Sequence, residues 1–125
     1  MNQSTRETVE KRPGMTVIRP GELPLSPLPE DPLSHASEVW SSPDGAKKVG
    51  TYQALRGAQF EYEQRYHESL YILSGRATFV LEDGTKFDLR AGDLAQILPG
   101  TKFKGSVSET MTLFFIVTSE GPPQT

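Results

Sequence analysis

The sequence contains no cysteine and only two histidines, His35 and His67, among its 125 residues. The first absence removes disulfides, thiolate nucleophiles and cysteine metal sites. The second leaves too few imidazoles for a histidine-built metal centre, so any site must be assembled largely from other residue types. Long apolar runs are missing too. No stretch approaches the roughly 18 to 20 residues that cross a bilayer as a helix, and no membrane partner is expected. The opening MNQSTRETVEKR lacks the apolar segment of a secretory signal, so a cytoplasmic location is expected. There is no basic stripe either: the formal charge is −3, with lysines and arginines scattered among acids, which argues against nucleic acid as a partner. A phosphate-cradling GxxxxGK[ST] loop is absent as well.

What is present suits one small domain rich in strands. Ten prolines and eleven glycines favour short elements joined by turns over long helices. Residues 1–34 hold six of the ten prolines and read as an arm, with Val17, Ile18, Leu23, Leu25 and Leu28 as apolar anchors for the barrel or a partner subunit. Residues 35–119 read as the β domain and 120–125 as a C-terminal tail. Strands are expected near 38–40, 49–55, 59–64, 69–73, 77–81, 86–89, 94–97, 102–107 and 111–117. Asp83-Gly84 between two of them predicts a tight hairpin. The run MTLFFIV is apolar on both faces and should lie buried between layers, not on a wet edge.

Two stretches carry the chemistry. In YHESLYILSG, Glu68 opens an apolar run that stops at Gly75, with six residues between the two. In RAGDLAQILPGTKF, Gly92 is followed by Gly100 and then by Phe103. Glu68 and Gly75 fit the second half of the first motif of the cupin superfamily, small jelly-roll barrels. Gly92 and Gly100 fit the second motif, with Leu98 at its proline position. The sequence resembles most closely the ethanolamine-utilisation branch of that superfamily. The resemblance implies an all-β fold, a single-domain cupin jelly-roll barrel with a proline-rich N-terminal arm, and a homodimer joined by strand or arm exchange.

Three of the family's four metal ligands are replaced. Phe103 stands at the second motif's histidine position. For the two histidines before Glu68, one spacing gives Tyr62 and Gln64 and the other gives Glu61 and Glu63. Strand alternation in FEYEQRYHE favours the first spacing: it puts Phe60, Tyr62, Gln64, Tyr66 and Glu68 on one face and Glu61, Glu63, Arg65 and His67 on the other. Burying two glutamates without a paired cation would cost several kcal/mol. Glu68 alone cannot hold a transition metal, so neither a metal nor another cofactor is expected.

A carboxyl on an aromatic-lined wall has another use. Desolvation by Tyr62, Tyr66, Leu70, Ile72 and Phe103 should raise its pKa and suit it to proton transfer near neutral pH. The expected catalytic residues are Glu68, Tyr66 and Tyr62; the expected substrate-binding residues are Gln64, Phe103, Leu70 and Ile72. The chemistry these allow is isomerisation, elimination or cyclisation of a small organic substrate. The alternatives are a non-catalytic small-molecule-binding or assembly barrel, with Glu68 a satisfied buried carboxyl, and an accessory role in ethanolamine or acetate metabolism. His67 should point away from Glu68, and His35 is read as incidental. Trp40, Tyr52, Phe79 and Phe87 are read as core or interface aromatics, and Gly75, Gly92 and Gly100 as turn positions.

Overall fold

The computed structural model describes residues 8–20, 25–28 and 31–119. Ten strands follow one another: β1 (Val9–Arg12), β2 (Met15–Ile18), β3 (Ser26–Leu28), β4 (Asp31–Ser41), β5 (Lys47–Ala54), β6 (Gln59–Glu63), β7 (His67–Leu81), β8 (Lys86–Arg90), β9 (Leu94–Ile97) and β10 (Lys102–Thr118). No helix occurs among the described residues, and so none is long and apolar enough to cross a membrane.

β1 and β2 pair with each other alone; the other eight strands form one sheet, ordered β3-β4-β5-β10-β7-β8, with β6 added on β10 and β9 on β7. β7 and β10 run antiparallel for most of their length, and each changes its outer neighbour halfway. Residues 102–106 of β10 pair with β6 and residues 111–118 with β5, while residues 68–71 of β7 pair with β9 and residues 76–80 with β8. The sheet therefore folds over into the two layers of a jelly roll, with Leu70, Ile72, Phe79, Phe103, Met111 and Leu113 buried in the core.

The corner has a local cause. On β10 the register slips between Val107 and Leu113, and opposite it Gly75 has a φ of 89°. A Cβ at Gly75 would collide with the carbonyl oxygen of Thr110 and sit 2.5 Å from Met111 Cα, so only glycine lets these two backbones approach so closely. From its residue type Gly75 is expected at a turn between two strands; the structure instead makes it the bend of one 15-residue strand. β10 likewise joins two expected strands into one of 17 residues. Bulges re-aim a strand without ending its ladder, and the residue-level pattern does not distinguish that from a turn.

MTLFFIV lies in β10 between β5 and β7, away from any edge. Its Met111 and Leu113 are buried, whereas Ile116 faces out. The hairpin at Asp83-Gly84 forms with Gly84 at a φ of 92°, closed by Gly84 N–H donating to the Leu81 carbonyl at 2.9 Å.

The proline-rich segment carries strands of its own. β3 pairs with β4, and Ser34 Oγ lies 2.6 Å from the Tyr52 hydroxyl. The boundary expected after Ser34 thus falls inside β4. Of the expected anchors, Val17, Ile18, Leu25 and Leu28 are partly buried, and Leu23 and the tail from 120 lie outside the described residues. Met15 and Ile18 of the β1–β2 hairpin share a cavity of about 560 Å³ with Trp40 and Val49 on the main sheet.

On the exposed side of β7 and β8, Arg76 and Arg90 both donate to Asp88, at 2.9 and 2.8 Å from Oδ2. These bonds, Arg76's first, hold the Asp88 carboxyl well below its ordinary 3.8, at about 2. The ionised form is the one favoured by folding. Its contribution is therefore present above pH 3.8 and lost as pH falls through about 2. A carboxyl-carbon NMR titration should find Asp88 ionising far below free aspartate, and high salt or Arg76→Gln should move it back up; an ordinary value at low salt would contradict the geometry.

Candidate functional site

Glu68 is the second residue of β7 and shares a strand face with Leu70 and Ile72, both buried. Alternation thus aims its carboxyl between the layers. Its register neighbours are Val117 on β10 and Ile97 on β9.

Gln64 holds the carboxyl from the other side. Only 4% exposed, it is captured by the 100–101 loop: its N–H donates to the Thr101 carbonyl, and its carbonyl accepts from Gly100 N–H, both at 2.8 Å. Its side-chain amide donates to the Tyr66 carbonyl at 2.8 Å and to Glu68 Oε1 at 3.2 Å. Gln64 Oε1 is buried and has no hydrogen-bond partner among the described residues. Loss of solvation on burial raises the Glu68 carboxyl above its ordinary 4.5, against the smaller opposing pull of the Gln64 amide. The result is a carboxyl biased towards its neutral form and held by a fixed donor.

The unbroken alternation expected from Phe60 to Glu68 needs one correction. β6 ends at Glu63, and residues 64–66 leave the strand before β7 begins. Capture of Gln64 by the loop bends the chain at Arg65 and Tyr66, which then re-enters in phase so that Glu68 still faces inward. Tyr66 lies in the bend, 44% exposed, and what it gives the site is its backbone carbonyl. Tyr62 keeps its parity and packs edge-on against Phe103 at 5.9 Å between centroids, yet is 49% exposed. Glu61 and Glu63 are on the solvent side. His67 also faces away from the interior, its Nε2 2.6 Å from Gln96 Oε1.

Beside this pair is an aromatic wall. Phe79 and Phe103 stack at 5.1 Å, and Phe60 meets both edge-on. A Cβ on Gly105 would run into the Phe60 ring, so glycine there seats that ring. The wall bounds a cavity of about 420 Å³, lined chiefly by Phe79, Phe87, Leu89, Ile97, Leu98 and Phe103. Among the described residues, Gln96 and Thr101 are the polar ones on its lining, and no charged residue is among them. Gln64 and Glu68 do not line this cavity. They adjoin two residues that do, Glu68 in register with Ile97 and Gln64 bonded to Thr101.

Of the expected binding residues, Phe103 thus lines the cavity and Gln64 adjoins it through Thr101, whereas Leu70 and Ile72 are spent in core packing. Phe79, Phe87, Leu89, Ile97 and Leu98 line the cavity without being among the binding residues that the sequence leads one to expect. The signal for Phe87 is its cross-strand pairing with Phe79, which alternation on either strand alone does not reveal.

The family's metal does not fit these residues. The sequence resemblance puts Tyr62, Gln64 and Phe103 at its other ligand positions, and no group of three or more histidine, cysteine, aspartate or glutamate side chains converges among the described residues. One carboxylate, one neutral amide and a benzyl ring do not make a transition-metal ligand set.

Bent paired strands closing two layers over an inward glutamate define a cupin-type barrel. The comparisons agree: residues 41–113 match the family model described as the EutQ-like cupin domain, and the chain belongs to that family. The EutQ protein of Clostridium difficile superposes with a TM-score of 0.73 at 19% identity, covering 87% of this chain and 83% of its own. A protein described as ethanolamine utilization protein Q, from Salmonella typhimurium LT2, gives 0.75 at 18%, covering 94% and 96%. Ectoine synthase from P. lautus gives 0.63 at 15%, covering 74% and 67%. At these identities the likeness shows the fold alone. No curated protein matches the sequence.

Proposed function

We propose that this cupin performs acid–base chemistry on a small organic substrate, of isomerisation, elimination or cyclisation type, with Glu68 giving and taking the proton. The observation that carries the reading is the desolvated Glu68 carboxyl held by the amide of buried Gln64. A carboxyl favouring its neutral form donates a proton closer to neutral pH than a solvated one. Gln64 fixes its position, and Tyr62 offers a phenol at the margin of the site for a substrate carbonyl or hydroxyl. Native mass spectrometry of what co-purifies, followed by solvent-deuterium exchange into that ligand, tests the reading. Exchange that Glu68→Gln abolishes is expected; exchange at full rate in the variant would overturn it.

One observation favours a second reading, a barrel that binds without converting: Glu68 is not among the residues that line the cavity. Binding of the ligand with no exchange in the parent protein would select it. In either case the acting unit proposed is a homodimer, supported by the exposure of Tyr71 and Ile116 on the main sheet. A single-chain mass by equilibrium sedimentation would rule the dimer out.

A further inference from the structure

The geometry points to an uncharged ligand with a flat apolar body, bound in the cavity between β8, β9 and the start of β10; the assignment rests on the proposed site only for the ligand's orientation. The cavity's inner wall is the Phe79–Phe103 stack, against which an aromatic ring or flat ring system packs face-on or edge-on. Its volume of about 420 Å³ lies within the ordinary range for small-molecule sites, roughly 300 to 1,000 Å³. With no charged group on its lining among the described residues, these offer nothing to compensate the desolvation of a charge, which costs several kcal/mol.

The rim gives a separate reason. Phe87 is 50% exposed and Leu98 61%, yet both also line the cavity. Large apolar side chains gathered at the mouth of an apolar cavity enlarge the surface a ligand can cover. Thr101 supplies a hydrogen-bonding group without charge. With its body on the Phe79–Phe103 wall, the ligand would direct a polar end past Ile97 and Thr101, the two wall residues adjoining Glu68 and Gln64.

Two dyes with the same ring skeleton test this: neutral N-phenylnaphthylamine and its sulfonated analogue, titrated by fluorescence into the full chain. The neutral dye should bind at least about tenfold more tightly, and Leu98→Lys and Phe87→Ser should each weaken it by about tenfold or more. Both side chains are half or more exposed, so the melting temperatures should hold. Met15→Lys, an exposed apolar position outside the cavity, should leave dye affinity unchanged. Equal affinity for the two dyes, or loss on Met15→Lys with none on Leu98→Lys, would overturn the assignment. Glu68→Gln should keep dye affinity within about twofold, so dye binding that survives while proton exchange proves independent of Glu68 would sink the catalytic reading and leave the cavity standing.

Discussion

Replacing Gly75 by alanine is expected to destabilise the protein by about 4 kcal/mol and lower its melting temperature by roughly 10 to 20 °C. Two effects add. A non-glycine residue at the φ of 89° found here costs about 1 to 2 kcal/mol. The added methyl must also displace the Thr110 carbonyl and Met111 Cα, both backbone, at the corner where the layers join. Gly84→Ala separates the two terms, since its φ is similarly positive but a Cβ there would meet nothing within 4 Å. That variant should lose only the conformational part, about 1 to 2 kcal/mol. Urea denaturation of both variants is the measurement, and equal losses would mean that the crossing of β7 and β10 is looser than described.

Glu68→Gln should abolish proton transfer, by at least about 100-fold, while making the fold more stable at neutral pH. Burial raises the carboxyl above its ordinary 4.5, so the native state keeps a proton that the unfolded chain releases. The stabilisation linked to that proton is fully present below pH 4.5 and is lost as pH rises through the folded value. Glutamine has the same shape without the titration. Parent and variant stabilities should therefore diverge from pH 4.5 upward, the variant becoming the more stable, with the difference levelling off once the folded carboxyl has ionised. Chemical denaturation at a series of pH values reads this directly. Parallel curves would show that Glu68 is solvated, whatever its position in the strand.

Much of the strand pattern was legible because alternation and turn residues are local. Leu70 and Ile72 mark the inner face of β7, and Asp83-Gly84 announces its hairpin. The inward aim of Glu68 could be read from the same periodicity. Three features could not, each because its cause is distant in sequence. Gly75 looks like a turn until Thr110 is placed against it. Tyr66 leaves the expected face because residues 100–101 capture Gln64. The cavity needs Phe79, Phe87 and Phe103 from three strands, and no single stretch contains that wall. The paired strands in the proline-rich segment escaped for a related reason: prolines weaken the strand signal, and β3 and β4 are sustained by pairing and by contacts such as Ser34 with Tyr52.

The placement of Trp40 decides what intrinsic fluorescence will report. It is the protein's one tryptophan, and it lines the space beneath the β1–β2 hairpin, far along the chain from the strands that carry Glu68 and Phe103. Its emission is a gauge of whether that hairpin is seated. A spectral shift early in a denaturation series, with the circular dichroism unchanged, would mark undocking of the amino-terminal flap from an intact barrel, and should not be taken as the midpoint of global unfolding.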